Sequence, residues 1–276
     1  MEIVSSESIV LHSQDLGERD RLVTFITREQ GRMKGVVKGS RKLTSRGVGN
    51  FEPFSRGTMH YVARPGAELV TIRKCDPLPP YLYLQATYHK ILYAGYLAEL
   101  TDRFPVGEAE APEFFALLEE ALRLLCDAAR ERHLPLIRLR FELKLLDLLG
   151  LQPEWEHCSL CGSALVPEPA PPTESPRPAL DVLTGGMVCP SCQGLTAQPG
   201  NSRRRTPGGA RVPLTPGTLD FLAGWRAGGA TSAMRPTRNL LESLENAVTR
   251  HLLHHLERPP RSLALLPSLE ALEDSP

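Results

Sequence analysis

Two short cysteine pairs hold the residues best suited to chemistry: Cys158-Ser-Leu-Cys161 and Cys189-Pro-Ser-Cys192. Each Cys-x-x-Cys pair can close on a tight turn, and two such pairs can offer four thiolates to one tetrahedral ion. A redox dithiol is the second reading, but no thioredoxin-like strand–helix–strand pattern surrounds either pair. Two disulfides form the third, and they would suit a secreted chain. The spacing favours a structural zinc site with Cys158, Cys161, Cys189 and Cys192 as ligands. Four protein ligands leave no open position for water or substrate, so the metal would fold the chain rather than do chemistry.

The second chemical signature is charge. Residues 1–75 carry thirteen Lys/Arg against eight Asp/Glu, and residues 76–157 carry eight against fourteen, although the whole chain is neutral. The basic excess concentrates in Arg28, Arg32, Lys34, Lys38, Arg41, Lys42 and Arg46, with Glu29 the single acid between them. Lys34 and Lys38 have the parity of one strand face, shared with Arg32. Such a row can replace condensed counterions along a nucleic-acid backbone; it can equally be a solvated hairpin. Gly31, Gly35 and Gly39 would let another backbone approach closely. His251 and His255 lie one helical turn apart, but with no third ligand nearby they read as a solvent-facing polar side.

The elements that must position these residues change type along the chain. Over 1–76, five short β-branched or alternating runs (around Ile9, Leu22–Thr27, Met33–Lys38, Thr58–Val62 and Leu69–Ile72) are separated by Gly-, Asp- and Pro-rich turns, as in a small closed barrel such as an OB-fold. From 77 to 157 the period becomes helical. Tyr81, Leu84, Tyr88, Ile91 and Leu92 mark one helix, Ala111 to Ala129 a second, and Leu136 to Leu149 a third. The third is apolar around most of its circumference and stops at Gly150, with Pro153 following. The cysteine module (158–192) carries a Pro-rich insert at 167–178. A flexible loop is expected at 193–213, and further helix within 214–276. The fold class is therefore α+β and multidomain: an OB-type barrel, an all-α part and an inserted four-Cys module.

Several functions are excluded by pattern. There is no Walker-type phosphate loop, no Gly-x-Ser-x-Gly elbow and no His-Glu-x-x-His helix, so no enzyme is expected. No apolar run approaches the length of a membrane span and no signal segment opens the chain, so a cytoplasmic protein is expected.

The run Arg140-Phe-Glu-Leu-Lys-Leu-Leu-Asp-Leu-Leu-Gly150-Leu-Gln-Pro153, followed by Cys158-Ser-Leu-Cys161-Gly162, strongly resembles the RecO family of bacterial DNA repair proteins. So do Thr27-Arg-Glu-Gln-Gly31 leading into Val36-Val-Lys-Gly-Ser-Arg41, Gly185-Gly186-Met-Val-Cys189, and Arg261-Ser-Leu-Ala-Leu. The resemblance implies an N-terminal OB-fold, a helical domain and a zinc-binding insertion. It also implies a recombination mediator that binds single- and double-stranded DNA and anneals complementary strands. With RecR, such a protein loads the recombinase RecA on strands coated by single-stranded DNA-binding protein (SSB), and RecF is a further partner. A zinc-stapled adaptor without DNA affinity is the alternative reading, and a nucleic-acid-processing enzyme a more distant one.

Overall fold

The computed structural model describes residues 3–39, 51–63, 69–79, 84, 87–104, 106–165, 177–193, 210–215, 217–226 and 236–273. They fall into two compact units, Met1–Leu148 with Pro259–Pro276, and Leu149–Arg258. These boundaries differ from the expected ones. Residues 214–258 pack with the cysteine module, and the last stretch packs with the first unit.

The first unit opens with five strands: β1 (Val4–Leu16), β2 (Asp20–Thr27), β3 (Gly31–Val37), β4 (Arg56–Val62) and β5 (Val70–Pro77). They close as β1-β2-β3-β5-β4, the OB-type order. Closure depends on β1, which is long enough to serve two partners. Val4–Ile9 pairs with β4, and Ser8–Leu16 pairs with β2 around an irregularity between Val10 and His12. Such a bulge bends the strand as a small barrel requires. Strands β3 and β5 run parallel, with Val36 opposite Thr71. Alternation fills the interior with Val10, Val23, Phe25, Val37, Phe51, Met59, Tyr61, Val70, Ile72 and Cys75. All five expected strands are present, and β1 and β5 extend beyond the apolar runs that mark them in the sequence.

Three helices follow: α1 (Tyr88–Arg103), α2 (Ala111–Asp127) and α3 (Leu134–Leu148). The Thr87 side chain caps α1 by accepting from the Lys90 amide. Tyr93 and Tyr96 are buried, whereas Tyr88 is exposed. Helix α2 buries Phe114, Phe115, Leu118, Leu122 and Leu125 along one face. Helix α3 buries two charged residues among its leucines. Arg138 pairs with Glu142 at 2.9 Å, and the Tyr96 hydroxyl donates to the same Glu142 oxygen at 2.6 Å. A short helix, η(Arg261–Leu265), packs on α1.

The second unit is a four-stranded sheet in the order β6 (Glu154–Cys158), β8 (Gly186–Val188), β7 (Ala179–Asp181), β9 (Arg211–Pro213), with helices α4 (Pro190–Gln193), α5 (Thr218–Arg226) and α6 (Arg238–His254). The expected loop at 193–213 thus ends in a strand, β9, whose Val212 pairs with Leu180.

Candidate metal centre and nucleic-acid interface

The two cysteine pairs come together because their strands are neighbours. Strand β6 delivers Cys158 and the parallel β8 leads to Cys189; Cys158 lies opposite Met187, whose carbonyl accepts from the Ser159 amide at 2.8 Å. The first pair closes on a turn in which Gly162 N donates to Cys158 O, and the second on one in which Cys192 N donates to Cys189 O. The consecutive Gly185-Gly186 makes the approach possible. Gly185 has φ +67°, and a Cβ on Gly186 would lie 2.6 Å from the Ser159 Cβ.

All four sulfur atoms lie within 4.8 Å of one another. Cys161 and Cys189 Sγ are 3.8 Å apart, and a tetrahedron of ~2.3 Å metal–sulfur bonds has an edge of about 3.8 Å. Burial would raise the Cys158 thiol, but amide hydrogens of Cys189, Cys161 and Leu160 turn toward its sulfur and bring it below its ordinary value. Ser163, through its hydroxyl and its amide, pulls Cys161 down to about 6. Cys192 is pushed up to about 12, by the adjacent Cys189 thiol first and by burial second. Four crowded sulfurs cannot all carry charge unaided, and a cation at their centre removes that conflict. The cluster can hold a metal ion. Cys158 and Cys192 are buried with Val188, and Cys161 faces solvent.

Among the described residues, the basic row divides into side chains that are ion-paired and side chains that are not. The β2–β3 hairpin that carries Arg28 in its turn and Arg32 at the start of β3 is docked on the helices. Arg28 donates to Glu7 at 2.9 Å and Glu119 at 3.3 Å, and its guanidinium stands 4.4 Å from the centre of the Phe115 ring. Arg56 completes the network by bonding the same two carboxylates, and together the two arginines hold Glu7 below the ordinary carboxylate range despite its partial burial, which acts the other way. Arg32 pairs with Asp102 of α1 at 2.9 Å. Lys34 and Lys38 are exposed and have no ion-pair partner among the described residues. Arg41, Lys42 and Arg46 lie outside the described residues.

Gly31 and Gly35 are needed by the protein's own packing, whereas Gly39 has open space around it. A Cβ on Gly31 (φ +70°) would lie 2.6 Å from the Val106 carbonyl oxygen, and one on Gly35 would strike Ile72 and Val70 inside the barrel. Sequence reading also missed Arg73. It is exposed on the outward parity of β5, two residues beyond Thr71 and on the side of the β3 end that carries Lys38. Only the β3–β5 pairing reveals that, and no local periodicity encodes it.

His251 departs from expectation. It is 2% exposed, and both ring nitrogens face backbone carbonyls, so it is neither a solvent-facing residue nor a free metal ligand.

An OB-type barrel joined to a helical body, with a four-cysteine module following, defines a multidomain α+β class of protein. Residues 1–81 match the model described as recombination protein O N terminal, and residues 85–264 that described as recombination protein O C terminal. The chain belongs to the RecO family. It is 33% identical over 270 residues to the DNA repair protein RecO of Pelotomaculum thermopropionicum, covering 96% of this chain and 94% of that one. The DNA repair protein RecO of Roseiflexus is 34% identical over 269 residues (96% and 85%), and that of Geobacter metallireducens 30% over 270 (98% and 99%). No described helix is long and apolar enough to cross a membrane.

Proposed function

We propose that this chain is a DNA-binding recombination mediator and strand-annealing protein of DNA repair, working in the cytoplasm at the nucleoid. It would act with RecR to load recombinase on SSB-coated single strands, with RecF and RecA as further partners. The single observation that carries the DNA-binding part is the pair of exposed cations Lys34 and Lys38, without an ion-pair partner among the described residues, on an OB-type barrel of a RecO chain. Arg73 extends that surface; Arg41, Lys42 and Arg46 of the adjoining segment are offered as further contacts. Arg28 and Arg32 are engaged by Glu7, Glu119 and Asp102 and contribute by holding the barrel on the helices.

The mechanism is electrostatic. Two complementary strands repel through their phosphates; a cationic surface replaces condensed counterions and lets bases meet without a covalent step. The metal is proposed to be one structural Zn2+ per chain, held by Cys158, Cys161, Cys189 and Cys192. Its chemistry there is to fix four thiolates, and with no open coordination position it takes no part in annealing.

The test is annealing of SSB-coated complementary strands, with and without RecR, by the parent and by a Lys34→Glu/Lys38→Glu variant. The parent should anneal, and RecR should alter loading of recombinase. The variant should bind DNA more weakly, with a salt slope flattened by roughly 0.7–0.9 per lost phosphate contact. Unchanged affinity and slope would remove the barrel face as the DNA site. Elemental analysis of protein purified without added metal should give one zinc per chain.

A further inference from the structure

His251 is the one buried imidazole among the described residues of the second unit, and its two ring nitrogens both face acceptors. Nε2 lies 2.8 Å from the carbonyl oxygen of Leu151, and Nδ1 lies 3.1 Å from that of Val182. A backbone carbonyl only accepts, so it is the ring that donates toward these oxygens. The third side of the ring is also engaged: a Cβ on Gly185 would lie 3.1 Å from His251 Cε1. His255 meets it edge-on, with ring centres 4.8 Å apart.

The two carbonyls belong to the two arms that carry the cysteines. From Leu151 the chain enters β6 and ends at Cys158. From Val182 it turns through Gly185 into β8 and arrives at Cys189. Bonds between the arms include Glu154 N to Gly185 O at 2.9 Å and, beside the sulfurs, Ser159 N to Met187 O at 2.8 Å. Between those two rungs the β6–β8 register shifts. An irregular ladder sets the spacing of its ends poorly, so a side chain that grips both arms below it supplies what the ladder lacks.

We propose that His251 is a positioning residue for the four-cysteine site: a ring on α6 that contacts both arms, clips the arm of Cys158–Cys161 to the arm of Cys189–Cys192 and so sets how tightly the site keeps its metal. The proposal rests on reading the four cysteines as a metal site. Residues behind a metal's ligands commonly alter affinity by about 10–100-fold when replaced, because ligand geometry is inherited from them. The role predicts a gradation. His251→Asn keeps an N–H where Nδ1 stood, His251→Gln keeps one near Nε2, and His251→Phe fills the space with no donor.

The experiment uses the full chain loaded with zinc and follows transfer of the metal to a chromophoric chelator under native conditions. His251→Phe should release zinc about ten-fold faster than the parent or more, and the Asn and Gln variants should fall between. Leu252→Ala is the control: Leu252 is fully buried on the same helix but bonds neither arm. It should lower thermal stability without the same gain in release rate. Release from a folded His251→Phe at the parental rate, or release from Leu252→Ala as fast as from His251→Phe, would each overturn the clip. If the parent bound no zinc, the metal reading would fail, and the clip with it.

Discussion

Ser262 donates its hydroxyl hydrogen to Glu99 Oε2 across 2.6 Å, although the residues are 163 positions apart. The Ser262 and Arg261 amides, each at 3.0 Å, donate to the two oxygens of the same carboxylate, and Arg103 pairs with it at 2.7 Å. Glu99 thus caps the short Arg261–Leu265 helix and fastens the returning chain to α1 after the whole second unit has intervened.

This clasp makes a pH prediction. Burial alone would raise the Glu99 carboxyl, but Ser262, Arg103 and the two amides bring it down to about 2 from an ordinary 4.5. Because the folded value is depressed, the stabilisation is complete above 4.5 and is lost as pH falls from 4.5 toward 2. Glu99→Gln should cost about 1–2 kcal/mol at neutral pH, allowing for partial solvent screening. It should also flatten the stability-versus-pH curve over that window. Urea denaturation of parent and variant across the acid range measures both; parallel curves would show that the clasp contributes nothing.

Gly31 should be intolerant of alanine for two reasons acting together. Its φ of +70° is costly for any residue with a Cβ, and that Cβ would collide with the Val106 carbonyl, which is backbone and cannot swing away. The expected loss is at least about 2 kcal/mol. Gly39 gives the comparison, because it has φ +66° but open space around it. Gly39→Ala should lose only the conformational part, about 1 kcal/mol. Equal melting shifts for the two variants would contradict the close approach.

Arg28 and Lys34 are six residues apart in one basic stretch and should behave oppositely. Arg28→Ala removes the contact with Phe115 and leaves Glu7 and Glu119 sharing Arg56 alone, so thermal stability should fall by about 1–2 kcal/mol while the salt slope of DNA binding holds. Lys34→Ala should leave stability within about 0.5 kcal/mol and reduce DNA affinity. Melting curves and salt titrations of DNA binding, run on both variants, separate the roles. A salt slope that falls with Arg28→Ala would place that arginine on DNA after all.

The contrast between Arg28 and Lys34 also shows which parts of the molecule were legible in the sequence. Strand parity is a local property, so the inward set (Val23, Phe25, Val37, Met59, Tyr61) and the buried face of α2 could be read directly. Cys-x-x-Cys spacing is local too, and the four sulfurs meet as the spacing implied. What partners a side chain is not local. Arg28 finds Glu119 ninety-one positions away, and Arg32 finds Asp102 seventy positions away. Those pairings, the parallel β3–β5 contact that exposes Arg73, and the two carbonyls around His251 arise only when distant segments pack. The short strands β6, β8 and β9 were invisible for a related reason. Three to five residues carry too little periodicity to be told from loop, and here the sheet is fixed by neighbouring chains rather than by propensity.

The metal centre should be important to folding before it is important to DNA. Cys158 is 2% exposed, packs with Val188 and Cys192, and accepts the Cys189 amide hydrogen at its sulfur, whereas Cys161 is exposed. Binding of a structural ion can contribute on the order of 10 kcal/mol to such a segment. Cys158→Ser places a weaker, shorter ligand at the buried corner, so it should lose zinc and lower the melting temperature of the 149–258 unit. Cys161→Ser should also weaken zinc binding but disturb packing less. Lys34, Lys38 and Arg73 lie in the other compact unit, so DNA affinity measured well below the melting transition should change little in either variant. Zinc content, melting curves and electrophoretic shifts on the same preparations test the division. A Cys158→Ser protein that keeps the parental melting profile yet no longer shifts DNA would place the module, not the barrel, at the nucleic acid.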